Sequence, residues 1–142
     1  MHIYLAGPMG GVELRKAMAW RSQISRTLRD NGHSVFDPTA SLTSKIRKDD
    51  KIEASYNLVG VRTKDTFNID LYQLRQADVV VADLREWNEK SFGTAFEFGV
   101  AWSFGIPIIC IPGSKADNPF VCEPCMLVDD VEDAIELILN FE

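Results

Sequence analysis

Short apolar runs alternate with longer amphipathic segments along the chain. Val79–Ala82 and Ile106–Ile111 are continuous apolar runs, as expected for strands that are covered on both faces of a sheet. Ile3–Ala6 and Ser34–Phe36 predict two further short strands, each closed by a turn signal. Met126–Val128 predicts a short edge strand near the end of the chain. The pattern therefore predicts about five strands.

The segments between the strands carry apolar residues at helical spacing. They predict helices over Glu13–Arg29, Thr66–Ala77, Gly93–Phe104 and Asp129–Asn140. The stretch Thr39–Arg62 is polar and mixed, and we interpret it as a long excursion with one helical turn. Long excursions in compact domains are often lids or binding loops.

Buried strands that alternate with helices predict an α/β fold. We expect one domain over residues 1–142, with a Rossmann-like (flavodoxin-like), mostly parallel sheet of about five strands and helices on both faces. In such folds ligands bind outside the carboxyl ends of the strands. Functional residues are therefore expected in four loops: Gly7–Val12, Asp37 onward, Asp83–Gly93 and Pro112–Cys125.

Composition narrows the class of partner. The 142 residues include 15 Lys and Arg against 21 Asp and Glu, a formal charge of −6. Without a basic stripe, we expect no nucleic acid polymer as partner. No apolar stretch approaches the length of a membrane span, and no signal peptide is evident, so we expect a cytoplasmic protein with a small-molecule ligand.

Three cysteines fit a reducing compartment better than a disulfide framework. Cys122-x-x-Cys125 has the spacing of a zinc or redox motif, but zinc needs four ligands, and Cys110, His2 and His33 are scattered over other elements. We therefore expect no metal and no cofactor.

The first strand is followed by Gly7-Pro8-Met9-Gly10-Gly11, directly before a helix. Glycines there let the backbone approach a ligand, and N–H groups at the start of a helix bind anions. The spacing is neither the dinucleotide fingerprint nor a P-loop. A plain tight turn and a ligand-binding loop are both compatible with it.

The most informative stretch is Gly93-Thr94-Ala95-Phe96-Glu97-Phe98-Gly99. Gly93 opens a helix on the ligand side of the sheet, and Glu97 lies one turn later on the same face. The helix dipole is expected to favour the ionised carboxylate that a nucleophile requires. The alternative is a solvated Glu in a first turn. Asp70, in the preceding helix, is a second candidate carboxylate at the boundary between core and solvent.

These residues resemble the nucleoside 2-deoxyribosyltransferase family and the related 2'-deoxynucleoside 5'-monophosphate N-glycosidases. The resemblance is carried by Ile3–Pro8, by Asn68–Leu71 followed by Gln76–Asp78, and by the Gly93–Gly99 block with Ala101. It runs in order from the first strand to about Pro112. The Gly-Thr-x-x-Glu-x-Gly block with the upstream Asp is its more specific part.

The resemblance implies a role for each matching residue. Glu97 matches the nucleophile that holds a covalent deoxyribosyl intermediate, and Asp70 matches the residue that handles the sugar hydroxyl and the proton of the leaving base. Tyr4 matches a tyrosine that orients the nucleophile. The substrates implied are a deoxynucleoside or deoxynucleotide and a free nucleobase, in a homo-oligomer (a dimer or higher) with shared active sites.

Three positions depart from the transferase pattern. Ser91 stands six residues before the nucleophile, where transferases usually have Asp and the monophosphate hydrolases have a serine that contacts phosphate. Gly10-Gly11 is similar to the hydrolase phosphate loop, but the arginine that accompanies it there is missing. Asn118 is the nearest candidate for the polar residue that one subunit lends to its neighbour's site.

We therefore expect a deoxyribosyltransferase, with a 5'-monophosphate N-hydrolase that releases free base as the alternative. A phosphoribohydrolase of the cytokinin-activating type ranks lower, because its Pro-Gly-Gly run is replaced here by Lys90-Ser91-Phe92. A non-catalytic nucleotide-sensing module that keeps only the fold is the remaining alternative.

Overall fold

The computed structural model describes residues 1–52 and 63–141. These residues form a single five-stranded parallel sheet with the strand order β2-β1-β3-β4-β5. This order is that of flavodoxin-like folds, so the predicted α/β class is confirmed. In chain order the elements are β1 (His2–Ala6), α1 (Leu14–Asp30), β2 (Ser34–Phe36), α2 (Thr63–Arg75), β3 (Val79–Asp83), α3 (Phe92–Ser103), β4 (Ile108–Ile111), α4 (Pro119–Cys122), β5 (Cys125–Leu127) and α5 (Val131–Leu139).

Both faces of the sheet are covered by helices, which explains the continuous apolar strands. Side chains alternate along β1, so Ile3 and Leu5 pack on one face with Ile24 of α1 and Ile138 of α5. Tyr4, the residue between them, belongs to the cluster on the other face together with Leu74 of α2 and Phe98 of α3. This alternation directs Tyr4 toward α3, the helix that carries Glu97.

The observed elements differ from the predicted ones mainly at their ends. β4 begins at Ile108 rather than Ile106, because the Ile106 N–H bonds to the Ala101 carbonyl at the end of α3 (2.9 Å). The excursion contains a short 3₁₀ helix, Pro38–Leu42, while residues 53–62 of it lie outside the described part of the chain. The four-residue α4 was not predicted, since a single turn is too short to show helical periodicity.

The topology places the loop after β1 beside the loop after β3. β1 and β3 are neighbours in the sheet, with Ala6 opposite Ala82 at their carboxyl ends. The strand order reverses at this point, where α/β sheets open a crevice for ligands. In the described residues, no helix is both long and apolar enough to cross a bilayer.

Candidate active site

A cleft opens between the β1–α1 loop and the start of α3. Backbone and side chains from the two segments line it: Gly7, Met9, Gly10, Lys90, Ser91, Gly93, Thr94 and Glu97. A side chain placed at Gly93 would meet no atom within 4 Å, so this glycine leaves the space in front of the carboxylate open. The structure thus brings together the glycine loop and the Gly-Thr block, which are far apart in the sequence.

Glu97 is held by a hydrogen bond from the first strand. The Tyr4 hydroxyl donates to Glu97 Oε1 at 2.6 Å. Tyr4 itself is fully buried, and its ring stacks on Phe36 with the centroids 5.5 Å apart. Because a buried, stacked ring has little freedom, Tyr4 fixes one carboxylate oxygen of Glu97, a residue that lines the cleft.

Burial has the largest effect on the charge state of Glu97. Desolvation raises the pKa of Glu97 to about 7, while the hydrogen bond from Tyr4 lowers it, the charge of Asp70 raises it and the charge of Arg21 lowers it. The expectation that the dipole favours the ionised carboxylate stays a prediction, because burial is the largest effect on this pKa. Glu97 lies beyond the first turn of α3, which begins at Phe92, and the dipole effect decays within that turn.

Asp70 is a second carboxyl group with a shifted pKa. It lies on α2, half-buried, and desolvation raises its pKa to about 7. Its charge acts on Glu97, although Asp70 is not among the residues that line the cleft. Two interacting carboxyl groups that titrate near neutrality can divide their work, one as the anion and the other as the acid.

The β1–α1 loop is held in place by contacts that require glycine. Gly7 has φ +140°, and a Cβ there would lie 2.8 Å from the Asp83 carbonyl oxygen. The Gly7 carbonyl accepts a hydrogen bond from Arg21 (3.1 Å). On the other side of the cleft, the Asn88 amide donates to the Gly10 carbonyl (3.1 Å). The loop is therefore tied to both flanking segments before any ligand binds.

Polar groups of the cleft wall are free to contact a ligand. The Ser91 hydroxyl accepts from the Asn88 N–H at 3.0 Å, which leaves its own proton for a ligand. Thr94 is only 4% exposed, and among the described residues its hydroxyl has no hydrogen-bond partner. Lys90 is the one lysine among the described residues that line the cleft. Sequence analysis missed Thr94 and Lys90, although both adjoin residues that it singled out.

Two predicted binding residues lie elsewhere in this chain. Pro8 lines a different cavity, beside Trp20 and Arg85 on the α1 side. Asn118 caps α4 by accepting from the Phe120 N–H at 3.0 Å. Its contribution to the site of a neighbouring subunit stays a prediction.

Asp83, at the end of β3, and the two cysteines of the Cys122-x-x-Cys125 motif have structural partners. Asp83 accepts from the Arg85 side chain and backbone. The Cys122 thiol donates to the Ala116 carbonyl (2.7 Å) and the Cys125 thiol to the Val121 carbonyl (3.0 Å). Over residues 1–52 and 63–141, no three His, Cys, Asp or Glu side chains are grouped as a metal site would require.

Comparison with known proteins identifies the family. The family model described as nucleoside 2-deoxyribosyltransferase matches residues 3–135. A 2-deoxyribosyltransferase from Bacillus psychrosaccharolyticus is 24% identical, with a TM-score of 0.69 over 100% of this chain and 93% of that one. A 2-deoxyribosyltransferase from Leishmania mexicana is 18% identical, with a TM-score of 0.68 over 99% and 98% of the two chains. At these identities the two structures support the fold alone. A search of curated proteins found no match.

Proposed function

Since the chain belongs to the nucleoside 2-deoxyribosyltransferase family and is an enzyme of this type, we propose that it cleaves the N-glycosidic bond of 2'-deoxyribonucleosides through Glu97 and transfers the deoxyribose to another nucleobase. One observation carries the proposal: the Tyr4 hydroxyl holds Glu97 Oε1 at 2.6 Å in a cleft lined by the glycine loop. A carboxylate so held is suited to attack at a fixed angle.

In the first step, the free carboxylate oxygen of Glu97 attacks the anomeric carbon of the sugar. The bond from that carbon to the base nitrogen breaks, and the base leaves with the bonding electron pair. The positive charge that develops on the sugar ring is stabilised by the carboxylate at short range. Asp70, whose pKa is raised to about 7, is protonated often enough at neutral pH to supply the proton that the leaving base needs.

In the second step, a nitrogen of the incoming base attacks the same carbon and displaces Glu97. The base loses a proton, which Asp70 takes back. Two displacements at one carbon retain its configuration, as in glycosidases with a carboxylate nucleophile. This cycle returns both carboxyl groups to their starting charge states and needs no cofactor.

The second candidate is hydrolysis of 2'-deoxynucleoside 5'-monophosphates. In this reaction water, rather than an incoming base, attacks the glycosyl-enzyme. The hydroxyls of Ser91 and Thr94 and the ammonium of Lys90 favour it, because they line the same cleft as Glu97. Together they offer donors for a phosphate, which the overall charge of −6 would otherwise repel. The fold would also serve a non-catalytic nucleotide-sensing module.

A base-exchange assay separates these functions. The enzyme is incubated with a deoxynucleoside, or with its 5'-monophosphate, together with a second free base. A new nucleoside supports transfer. Free base with deoxyribose 5-phosphate from the monophosphate supports hydrolysis. Tight nucleotide binding without turnover over hours supports sensing.

Glu97→Gln is the decisive variant for either reaction. It preserves shape and the contact with Tyr4 but removes the nucleophile, so base release should fall by about a thousandfold or more. Glu136→Gln on α5 is the matched control, since it makes the same change away from the cleft. Retention of most activity in Glu97→Gln would overturn the proposed mechanism.

We also propose a cytoplasmic homo-oligomer. The three cysteines are free, in keeping with a reducing compartment. The outer face of α3 and the adjoining α4 carries aromatic side chains with much of their surface exposed: Phe92 (81%), Trp102 (68%) and Phe120 (88%). Exposed aromatic surface of this kind is typical of protein interfaces.

A further inference from the structure

A fully buried guanidinium lies under the active-site loop. Arg21, on α1, is 0% exposed. Its Nη1 donates to the Ala17 carbonyl of its own helix (2.6 Å) and its Nη2 donates to the Gly7 carbonyl (3.1 Å). The guanidinium also lies 4.6 Å from the ring centre of Trp20. Burial of a permanently charged group costs free energy, so we expect a function of Arg21 that offsets this cost.

Arg21 also connects the loops that follow the first two strands. Its Nε lies 3.7 Å from Asp37 Oδ1, at the point where β2 ends. The same carboxylate oxygen accepts from the Thr39 N–H and the Thr39 hydroxyl, at 2.8 and 2.7 Å. Arg21 therefore fixes the Gly7 turn, which lines the cleft, to an anchored carboxylate on the opposite side of β1.

We propose that Arg21 is a positioning residue for Glu97: it holds the Gly7 turn in its open geometry through the hydrogen bond to the Gly7 carbonyl, and its buried positive charge favours the ionised form of the Glu97 carboxylate. The inference rests on the proposed function only in taking Glu97 as the nucleophile. Arg21 does not line the cleft, so it acts through Gly7 and through its charge.

The charges that face Glu97 come from each element packed around it. Tyr4 of β1 donates a hydrogen bond, Asp70 of α2 repels, Arg21 of α1 attracts, and Lys90 stands exposed at the mouth of the cleft. A guanidinium stays protonated at every pH at which the protein is folded. The buried charge of Arg21 is also screened less than that of an exposed lysine.

Asp37 is the partner that sets how much of this charge Glu97 experiences. Its carboxylate lies against the guanidinium and offsets part of the positive charge. Removal of the Asp37 charge should therefore act on Glu97 in the opposite direction from removal of the Arg21 charge. This opposition distinguishes an electrostatic role from a purely structural one, for which both changes would simply loosen the loop.

The test compares the pH dependence of kcat/KM for base release in Arg21→Met, Arg21→Lys and the unchanged enzyme. Glu97 must be ionised to attack, and loss of the positive charge of Arg21 should raise its pKa. The acidic limb of the kcat/KM profile, where activity falls at low pH, should therefore move to higher pH by about half to one unit. Arg21→Lys should keep the limb in place while kcat falls, because a lysine restores the charge but not the fork that holds Gly7. Arg29→Met is the matched control, since Arg29 lies on the same helix and donates to the Val35 carbonyl at 2.8 Å.

Asp37→Asn tests the same inference without removal of the arginine, in case Arg21→Met does not fold. It should move the acidic limb to lower pH. An acidic limb that stays in place in Arg21→Met, or that moves upward in Asp37→Asn, would overturn the inference. So would an equal shift in Arg29→Met.

A second readout separates this inference from the proposed function. The carboxyl carbon of Glu97 can be titrated by NMR in protein labelled with ¹³C at glutamate, with Glu97→Gln used to assign the signal. The midpoint should rise in Arg21→Met and fall in Asp37→Asn. Those shifts support the positioning role even if the enzyme transfers no deoxyribose, whereas unchanged midpoints contradict it.

Discussion

Tyr4 on the first strand donates a 2.6 Å hydrogen bond to Glu97 on the third helix, a residue 93 positions away in the sequence. The contact joins two of the motifs that carry the family resemblance, the first-strand block and the Gly93–Gly99 block. It acts against the desolvation that raises the pKa of Glu97 to about 7. A hydroxyl that favours the charged form of a buried carboxylate is what a nucleophile of this kind needs.

Tyr4→Phe should weaken activity without loss of the fold. The phenyl ring keeps the stacking on Phe36 but loses the donor, so the pKa of Glu97 rises and the carboxylate is less well oriented. A hydrogen bond to a charged group contributes about 1.5–3 kcal/mol, so kcat/KM at neutral pH should fall about tenfold to a hundredfold. Steady-state kinetics across pH check this. A variant with unchanged kinetics would show that the contact does no work in the reaction.

The rate should depend on pH as a narrow bell centred near pH 7. Glu97 must be ionised, so activity falls as the pH drops through its pKa of about 7. Asp70 must carry a proton, so activity falls again as the pH rises through its pKa, also about 7. Because the two groups interact, the limbs report the pair rather than either residue. In Asp70→Asn the alkaline limb should disappear, and its persistence would exclude Asp70 as the acid.

Glu97→Gln should stabilise the protein at alkaline pH. The folded-state pKa of Glu97 lies above its ordinary value of 4.5. Below pH 4.5 the neutral carboxyl group does not lower the free energy of unfolding. As the pH rises from 4.5 toward 7, ionisation of the carboxyl group progressively lowers the free energy of unfolding. Above pH 7 the buried anion costs on the order of 2 kcal/mol. Urea unfolding at pH 8 should show that gain for the variant, and at pH 5 most of the gain should vanish. Equal gains at both pH values would contradict burial as the cause.

Gly7→Ala should destabilise the protein and disable the cleft. The substitution puts a Cβ 2.8 Å from the Asp83 carbonyl at a φ of +140°, at a cost of about 1–3 kcal/mol. Gly99→Ala is the comparison, since a Cβ placed at Gly99 would meet no atom within 4 Å. Alanine is also more favourable than glycine in a helix interior by roughly 1 kcal/mol. Thermal melts should therefore move in opposite directions, and a neutral Gly7→Ala would mean that the turn relaxes.

Trp102→Glu should dissociate the proposed oligomer. A charge on the exposed aromatic face of α3 opposes association of two such faces, whereas Leu139→Glu, on α5, should leave the assembly intact. Sedimentation at matched concentrations measures both. A wild-type chain that sediments as a monomer would contradict the proposed assembly. If active sites are shared, Trp102→Glu should also lose activity in parallel with its association.

Periodicity and local turn signals determined most of the fold. The apolar runs Val79–Ala82 and Ile106–Ile111 predicted buried parallel strands, because a strand covered on both faces has no solvent-exposed side that would carry polar residues. The Gly-Thr block predicted Glu97 as the central residue because its spacing is local. Where a strand end depended on a neighbouring helix, as at Ile106, or where a helix had a single turn, as in α4, local pattern was insufficient.

Only the tertiary structure decided the chemistry of the site. The sequence by itself determined that the glycine loop and Glu97 lie at the ligand side of a parallel sheet. It did not determine that burial raises the pKa of Glu97, or that Arg21 lies beneath Gly7. Those results depend on the desolvation and charge that distant segments impose when they pack, and no spacing along the chain records the dielectric environment of a side chain.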